Sequence, residues 1–156
     1  MKGKYLVGML VLCGLALGIT TLNADEDPAK RFAGKTPDAT VNVDETQMGY
    51  MIMGTLGGGT LDYQGKMYKF KMGGLGVGGM GIDRLKATGD VYEMNDLKDF
   101  AGDYSDARIG FSLGDKGKGD LWLKNANDVY IHLKSHLEGI SLTLGADAIT
   151  VKMGDW

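Results

Sequence analysis

Gly74-Leu75-Gly76-Val77-Gly78-Gly79 carries the letters of a dinucleotide-binding turn. That chemistry needs a helix to begin at the turn, so that its amino end meets the pyrophosphate. Residues 80–84 show no helical apolar stripe, so a glycine-rich bent strand or loop is expected instead. Gly34-Lys35-Thr36 has the closing letters of a phosphate-binding loop. Ala29 stands where the loop's first glycine belongs, Pro37 follows, and no strand precedes it, so the match is fortuitous.

Metal chemistry fares no better. His132 and His136 are the only histidines. A zinc protease helix needs a glutamate directly after the first histidine, and Leu133 is there. On a strand the two side chains share a face about 13 Å apart, too far for one metal, and read as two solvated histidines. Met48, Met51 and Met53 resemble the spaced thioethers of periplasmic copper carriers, although Met is also a common core filler. Copper binding is kept as an alternative. Asp96, Asp99, Asp103 and Asp106 lack the offsets and closing glutamate of a calcium loop and read as capping and solvation. For nucleophilic catalysis, no serine sits in a nucleophile-elbow setting. No cofactor is expected, and no catalytic residue is assigned.

The elements that would position any site have period two. Val41 and Val43 alternate with Asn42 and Asp44. Residues 60–63 and 66–70 flank Gln64-Gly65, a tight hairpin turn. Residues 91–94 read as a short strand. Asn95 to Gly102 reads as a helical turn or two, with a capping Asn or Asp, Leu97 and Phe100 three apart, and a glycine stop. From Val129 the odd positions Val129, Ile131, Leu133, Ser135 and Leu137 are mostly apolar, and the even positions Tyr130, His132, Lys134, His136 and Glu138 form a wet face. Gly139 and the Gly145-Ala146-Asp147 turn lead into two further strands, with Ile140, Leu142, Leu144 and then Ile149, Val151, Met153. Short strands at this spacing, with few helices to cover an open edge, predict an all-β fold: a small antiparallel β-barrel, closed or nearly closed, with one short helical turn. The pattern leaves three aromatics on the polar face, and Trp122, Tyr130 and Tyr92 are the candidate ligand-binding residues.

Residues 1–24 order themselves as a secretory signal peptide: Lys2 and Lys4, an apolar run over residues 5–22, then the small Ala24 before Asp25-Glu26-Asp27. An uncleaved anchor is the alternative, but Gly14, Gly18, Thr20 and Thr21 weaken the run's second half. Lipidation at Cys13 is disfavoured by Leu12 before it. Cleavage leaves 132 residues, enough for one domain, with formal charge −5, no cysteine, and 22 of the 26 glycines. Packing must therefore supply stability without disulfides, and the acidic balance excludes a nucleic-acid partner. Residues 25–39 read as a polar leader that keeps Pro28 and Pro37 outside any element, and residues 40–156 as a single barrel domain.

Lys71-Met72-Gly73-Gly74-Leu75-Gly76-Val77-Gly78-Gly79, Ala87-Thr88-Gly89-Asp90-Val91-Tyr92, Asp99-Phe100-Ala101-Gly102-Asp103-Tyr104, Leu123-Lys124-Asn125 and Gly139-Ile140-Ser141-Leu142-Thr143-Leu144-Gly145 form a recognisable series. Over residues 40–153 it resembles small secreted bacterial proteins of uncharacterised function, which are distantly similar to envelope-integrity proteins and the SYLF lipid-binding domain. The resemblance implies a periplasmic or secreted β-barrel linked to the cell envelope, with a lipid or another envelope component as partner. It carries over no catalytic residue, and the long basic segment by which some SYLF proteins reach membranes is missing here. The function expected is non-enzymatic binding. A small outer-membrane barrel is the structural rival, opposed by strands shorter than the roughly 9–11 residues a crossing needs.

Overall fold

The computed structural model describes residues 26–44, 56–78, 86–108, 119–136, 141–144 and 148–154. Its strands are β1 (Ala39–Asp44), β2 (Leu56–Tyr63), β3 (Lys66–Gly73), β4 (Leu75–Gly78), β5 (Lys86–Tyr92), β6 (Gly102–Asp106), β7 (Asp120–Asn125), β8 (Tyr130–Ser135), β9 (Ser141–Leu144) and β10 (Ile149–Met153). Eight of them close a barrel in the order β1-β2-β3-β10-β6-β7-β8-β5, so the wall has no open edge. Every neighbouring pair is antiparallel. The expected all-β barrel is the fold observed.

Alternation separates the two sides of the wall. Val41, Val43, Leu61, Phe70, Met72, Val91, Leu121, Leu123, Ile131, Leu133, Ile149 and Val151 are buried and fill the interior as one core. The outward positions between them include Thr40, Asn42, Lys69, Lys71 and Lys152. The β2–β3 hairpin turns through Gln64 and Gly65 at φ 52° and 73°, the paired left-handed conformation that a two-residue turn requires.

The glycine-rich segment is extended. Gly74 sits at φ +90° between β3 and β4, and a Cβ there would lie 2.4 Å from the Ala148 carbonyl oxygen. β4 then pairs with β9 in a separate two-stranded ribbon whose Leu75 and Leu142 join the barrel core. Residues 75–78 are thus a strand, within the bent strand or loop expected from the sequence; Gly79 and residues 80–84 lie outside the described residues, as do Met48, Met51, Met53 and Leu137.

The expected helical turn is a 3₁₀ turn at Leu97–Phe100, capped by Asp96, with Asp99 completing a reciprocal capping box. It delivers Phe100 into the core, edge-on to Phe70 at 5.3 Å. The Tyr104 hydroxyl donates to the Phe100 carbonyl (2.7 Å), and burial pushes this phenol's pKa up. Asn125, the one buried polar residue of the described core, donates to the Asp99 carbonyl and accepts from the Asn127 and Val129 amides. These bonds satisfy the Asn125 side chain and tie down the turn between β7 and β8.

Two expectations need correction. The strand expected over residues 91–94 ends at Tyr92, because Glu93 turns at φ 59°. Pro28 does not stand outside the elements: it opens a short helix, α1 (Pro28–Arg31), where a missing N–H costs nothing. Asp27 caps that helix by accepting from the Ala29 amide at 3.1 Å.

Candidate functional site

β5, β8 and β7 are consecutive in the wall, and their registers set the site. On the outer face Tyr92, Tyr130 and Lys124 form one row, and Asp90, His132 and Trp122 the next. Val91, Ile131 and Leu123 point inward between them, as period two demands. The three aromatics expected to contact a ligand therefore do come together. Their surface is not open.

Phe32, directly after α1, fills the space among them. Its ring lies 4.5 Å from Tyr92 and 5.9 Å from Trp122, both nearly parallel, and 5.0 Å from Tyr130 at a steep tilt. Phe32, Tyr92, Trp122 and Tyr130 retain only 3–8% of their exposure and form a second apolar cluster outside the barrel core. Burial pushes the Tyr92 phenol's pKa up. Among the described residues three cations rim the cluster: the Arg31 guanidinium 5.3 Å from the Phe32 and Tyr130 rings, Lys35 5.2 Å from Phe32, and Lys124 5.2 Å from Tyr130. All lie within cation–π range.

His132 completes the patch. Its ring stacks on Trp122 at 4.1 Å, the two planes nearly parallel, and its Nε2 lies 3.2 Å from Asp120 Oδ1. The expectation of a solvated histidine is thus overturned, since its side chain is only 15% exposed. Burial lowers its pKa, Lys134 adds to that, and Asp120 opposes without prevailing. Lys134 is itself bonded to Asp90 at 2.8 Å, which holds its ammonium charged.

The segment that carries Phe32 is fastened at both ends. One guanidinium nitrogen of Arg31 reaches both Glu93 carboxylate oxygens at 2.6 and 2.7 Å, which raises the Arg31 pKa. Arg108 Nε sits 3.4 Å from Asp27 Oδ1, a charge contact without hydrogen-bond alignment. The Asp38 amide donates to Val91 O, and its carboxylate accepts from the Met94 amide. An open groove of about 400 Å³ adjoins Phe32 and Tyr92 and is otherwise polar, with Lys35, Thr36, Asp38, Glu93 and Asn95 along it.

Phe32, Arg31 and Glu93 are the participants that reading the sequence missed. A signal was present: Asp27 followed by Pro28 is a helix start, and it brings a lone aromatic into a polar stretch. Among the described residues no three His, Cys, Asp or Glu side chains gather as metal ligands. The Asp96 and Asp99 carboxylates cap the 3₁₀ turn, while Asp103 and Asp106 accept from Thr150 and the Arg108 amide. Compared with known proteins, the chain matches no family model, no characterised protein and no solved structure.

Proposed function

We propose that this protein is an exported, non-enzymatic component of the cell envelope that binds an apolar ligand, such as a lipid, on the outside of its barrel. The observation that carries this reading is the convergence of Tyr92, Trp122 and Tyr130 on a single apolar group, at present the Phe32 ring. The barrel interior is filled by side chains, so a ligand is better served by the wall. The arrangement suits an amphiphile. An apolar tail replaces Phe32 in the cluster, and a polar head lies in the adjoining groove near Lys35.

Non-enzymatic binding is supported by the commitments of the most reactive group. His132 is stacked on Trp122 and held by Asp120, and of its outward register neighbours Trp122 is no nucleophile and the Asp90 carboxylate is paired with Lys134. The outward Lys69, Lys71 and Lys152 weigh against the outer-membrane alternative, because a lysine facing hydrocarbon costs about 2–4 kcal/mol at mid-membrane. Export rests on the residue order of positions 1–24 and on the resemblance to envelope proteins.

The test is a titration with oleate, read by Trp122 emission in a Trp156→Phe background. A saturable change in Phe32→Ala, at lower concentration than in the parent, is expected. A Phe32→Ala protein with unchanged far-UV circular dichroism and no saturable change would refute the site.

A further inference from the structure

We infer that the outer wall of β5, β8 and β7 is a docking site for a linear peptide segment bearing a basic–aromatic pair, and that residues 27–38 are its resident, competing occupant. This rests on the reading of the wall as a binding surface and names the partner that surface fits.

The barrel does not need the segment. All eight strand pairings are made by residues from Ala39 onward, and the Phe32 cluster is separate from the barrel core. Nor does the segment hold a shape of its own. Its helix has four residues, well below the length at which a helix persists alone, so docking is what orders it.

Its contacts are those of a bound peptide. A carboxylate at one end, Asp27, meets Arg108. The Arg31 guanidinium bridges the Glu93 carboxylate. The next side chain, Phe32, enters the aromatic cage, and further along the Asp38 amide donates to Val91 O at the end of β5. Glu93 adopts φ 59°, a conformation unfavourable to a residue with a side chain. Strain of this kind persists where surrounding contacts over-determine it, and here the fixed carboxylate faces the guanidinium. The wall therefore reads an acidic residue, then a basic residue followed by an aromatic one. Any exposed segment repeating that order presents the same groups.

A tethered occupant acts at an effective concentration in the millimolar range, so a free segment competes poorly until the tether lifts. Removing Phe32 empties the aromatic cage and so weakens the competitor, which keeps only its Arg31–Glu93, Asp27–Arg108 and Asp38 contacts, while Tyr92, Trp122, Tyr130 and Glu93 stay in place.

The experiment uses the full mature chain and a synthetic peptide of residues 27–38. Binding to Phe32→Ala is measured by calorimetry, alongside the parent and oleate. The peptide is expected to bind Phe32→Ala on the order of tenfold tighter than the parent. Replacing the peptide's Phe32 or Arg31 by Ala, or Glu93→Gln in the protein, should each weaken binding severalfold. Failure of the peptide to bind a folded Phe32→Ala overturns the inference, as does equal binding of the peptide lacking Phe32. Oleate binding with the peptide rejected overturns it too, while leaving the wall an apolar site. Should Phe32→Ala fail to fold, hydrogen exchange on the parent decides. The Lys30, Arg31 and Phe32 amides should exchange at least a hundredfold faster than those of Val91 and Ile131. Equal protection would make the segment integral to the fold and overturn the proposal.

Discussion

Phe32 lies nearly parallel to Tyr92 with ring centroids 4.5 Å apart, although one precedes the first strand and the other ends β5. This contact turns an outward strand face into a buried one. Phe32→Ala therefore removes a ring that touches three others. A core Phe→Ala change costs about 3–5 kcal/mol where the surroundings cannot yield. Here the segment can lift away, so a loss nearer 1–3 kcal/mol is expected, with Trp122 emission shifting to the red. Thermal melts and emission spectra in a Trp156→Phe background measure both. A loss without a red shift would mean that Trp122 stays covered.

The two faces of β8 give a sharper contrast. Ile131 is buried in the barrel core, while Lys134 is exposed and paired with Asp90. Ile131→Asp buries an unpaired carboxylate and should cost several kcal/mol, enough to unfold a domain of ordinary stability. Lys134→Ala removes one exposed ion pair and should cost less than about 1 kcal/mol. Alanine is the cleaner replacement, because an aspartate there would face Asp90 and Asp120. Similar losses in the two melts would disprove the register.

The barrel is readable because period two is a local property: Val41, Val43, Ile131 and Leu133 declare the inward face without reference to anything distant. Gln64-Gly65 declares its turn in the same way. The covering of Tyr130 and His132 cannot be read so. Alternation divides a strand into two faces, but it does not reveal that a segment a hundred residues earlier lies over the polar one. Trp122, Tyr130 and Tyr92 are legible because bulky aromatics outside a core stand out. Phe32 is not, because a single aromatic among Lys30, Arg31 and Lys35 has no periodicity to join. Its role exists only through three strands that are neighbours in space.

Gly59 stands opposite Val43 in the β1–β2 pair, and a Cβ at Gly59 would come within 1.9 Å of the Asn42 carbonyl oxygen. The obstacle is backbone, and a closed barrel cannot spread one strand pair without disturbing the rest. Gly59→Ala should lower stability by about 2 kcal/mol or more. Gly65→Asn, in the hairpin turn at φ 73°, should cost about 1 kcal/mol or less, because Asn tolerates that conformation. Urea unfolding of both variants makes the comparison. A tolerated Gly59→Ala would show that the two strands are not so closely apposed.

Export makes a separate prediction. On the proposed export reading, the basic start, apolar run and small residue at Ala24 predict cleavage at or near Asp25. The intact mass of the protein recovered from the cell envelope or medium should match a chain beginning there. A mass that retains residues 1–24 would identify an anchored protein and remove the exported reading. Cleavage at Asp25 also leaves Asp27 and Arg31, the two charged anchors of the Phe32 segment, within the mature chain.

His132 gives the wall a pH dependence of defined sign. Its ring faces Trp122 and Asp120 of β7 and Asp90 of β5, with Lys134 two residues along its own strand. Burial and Lys134 favour the neutral imidazole more than Asp120 favours the charged one, so the folded pKa lies below the ordinary value. The unfolded chain titrates near about 6.5. Below that point the unfolded state binds more protons than the folded state. The stability from neutral His132 is therefore complete above about pH 6.5 and is lost as pH falls through the folded value. The melting temperature of the parent should drop between about pH 7.5 and about 5.5, and the slope should flatten in His132→Gln. Carboxylates and His136 are common to both proteins, so the difference in slope isolates His132. If the parent instead gains stability relative to His132→Gln on acidification, the Asp120 ion pair outweighs burial, and the stack on Trp122 is not what sets this group's charge.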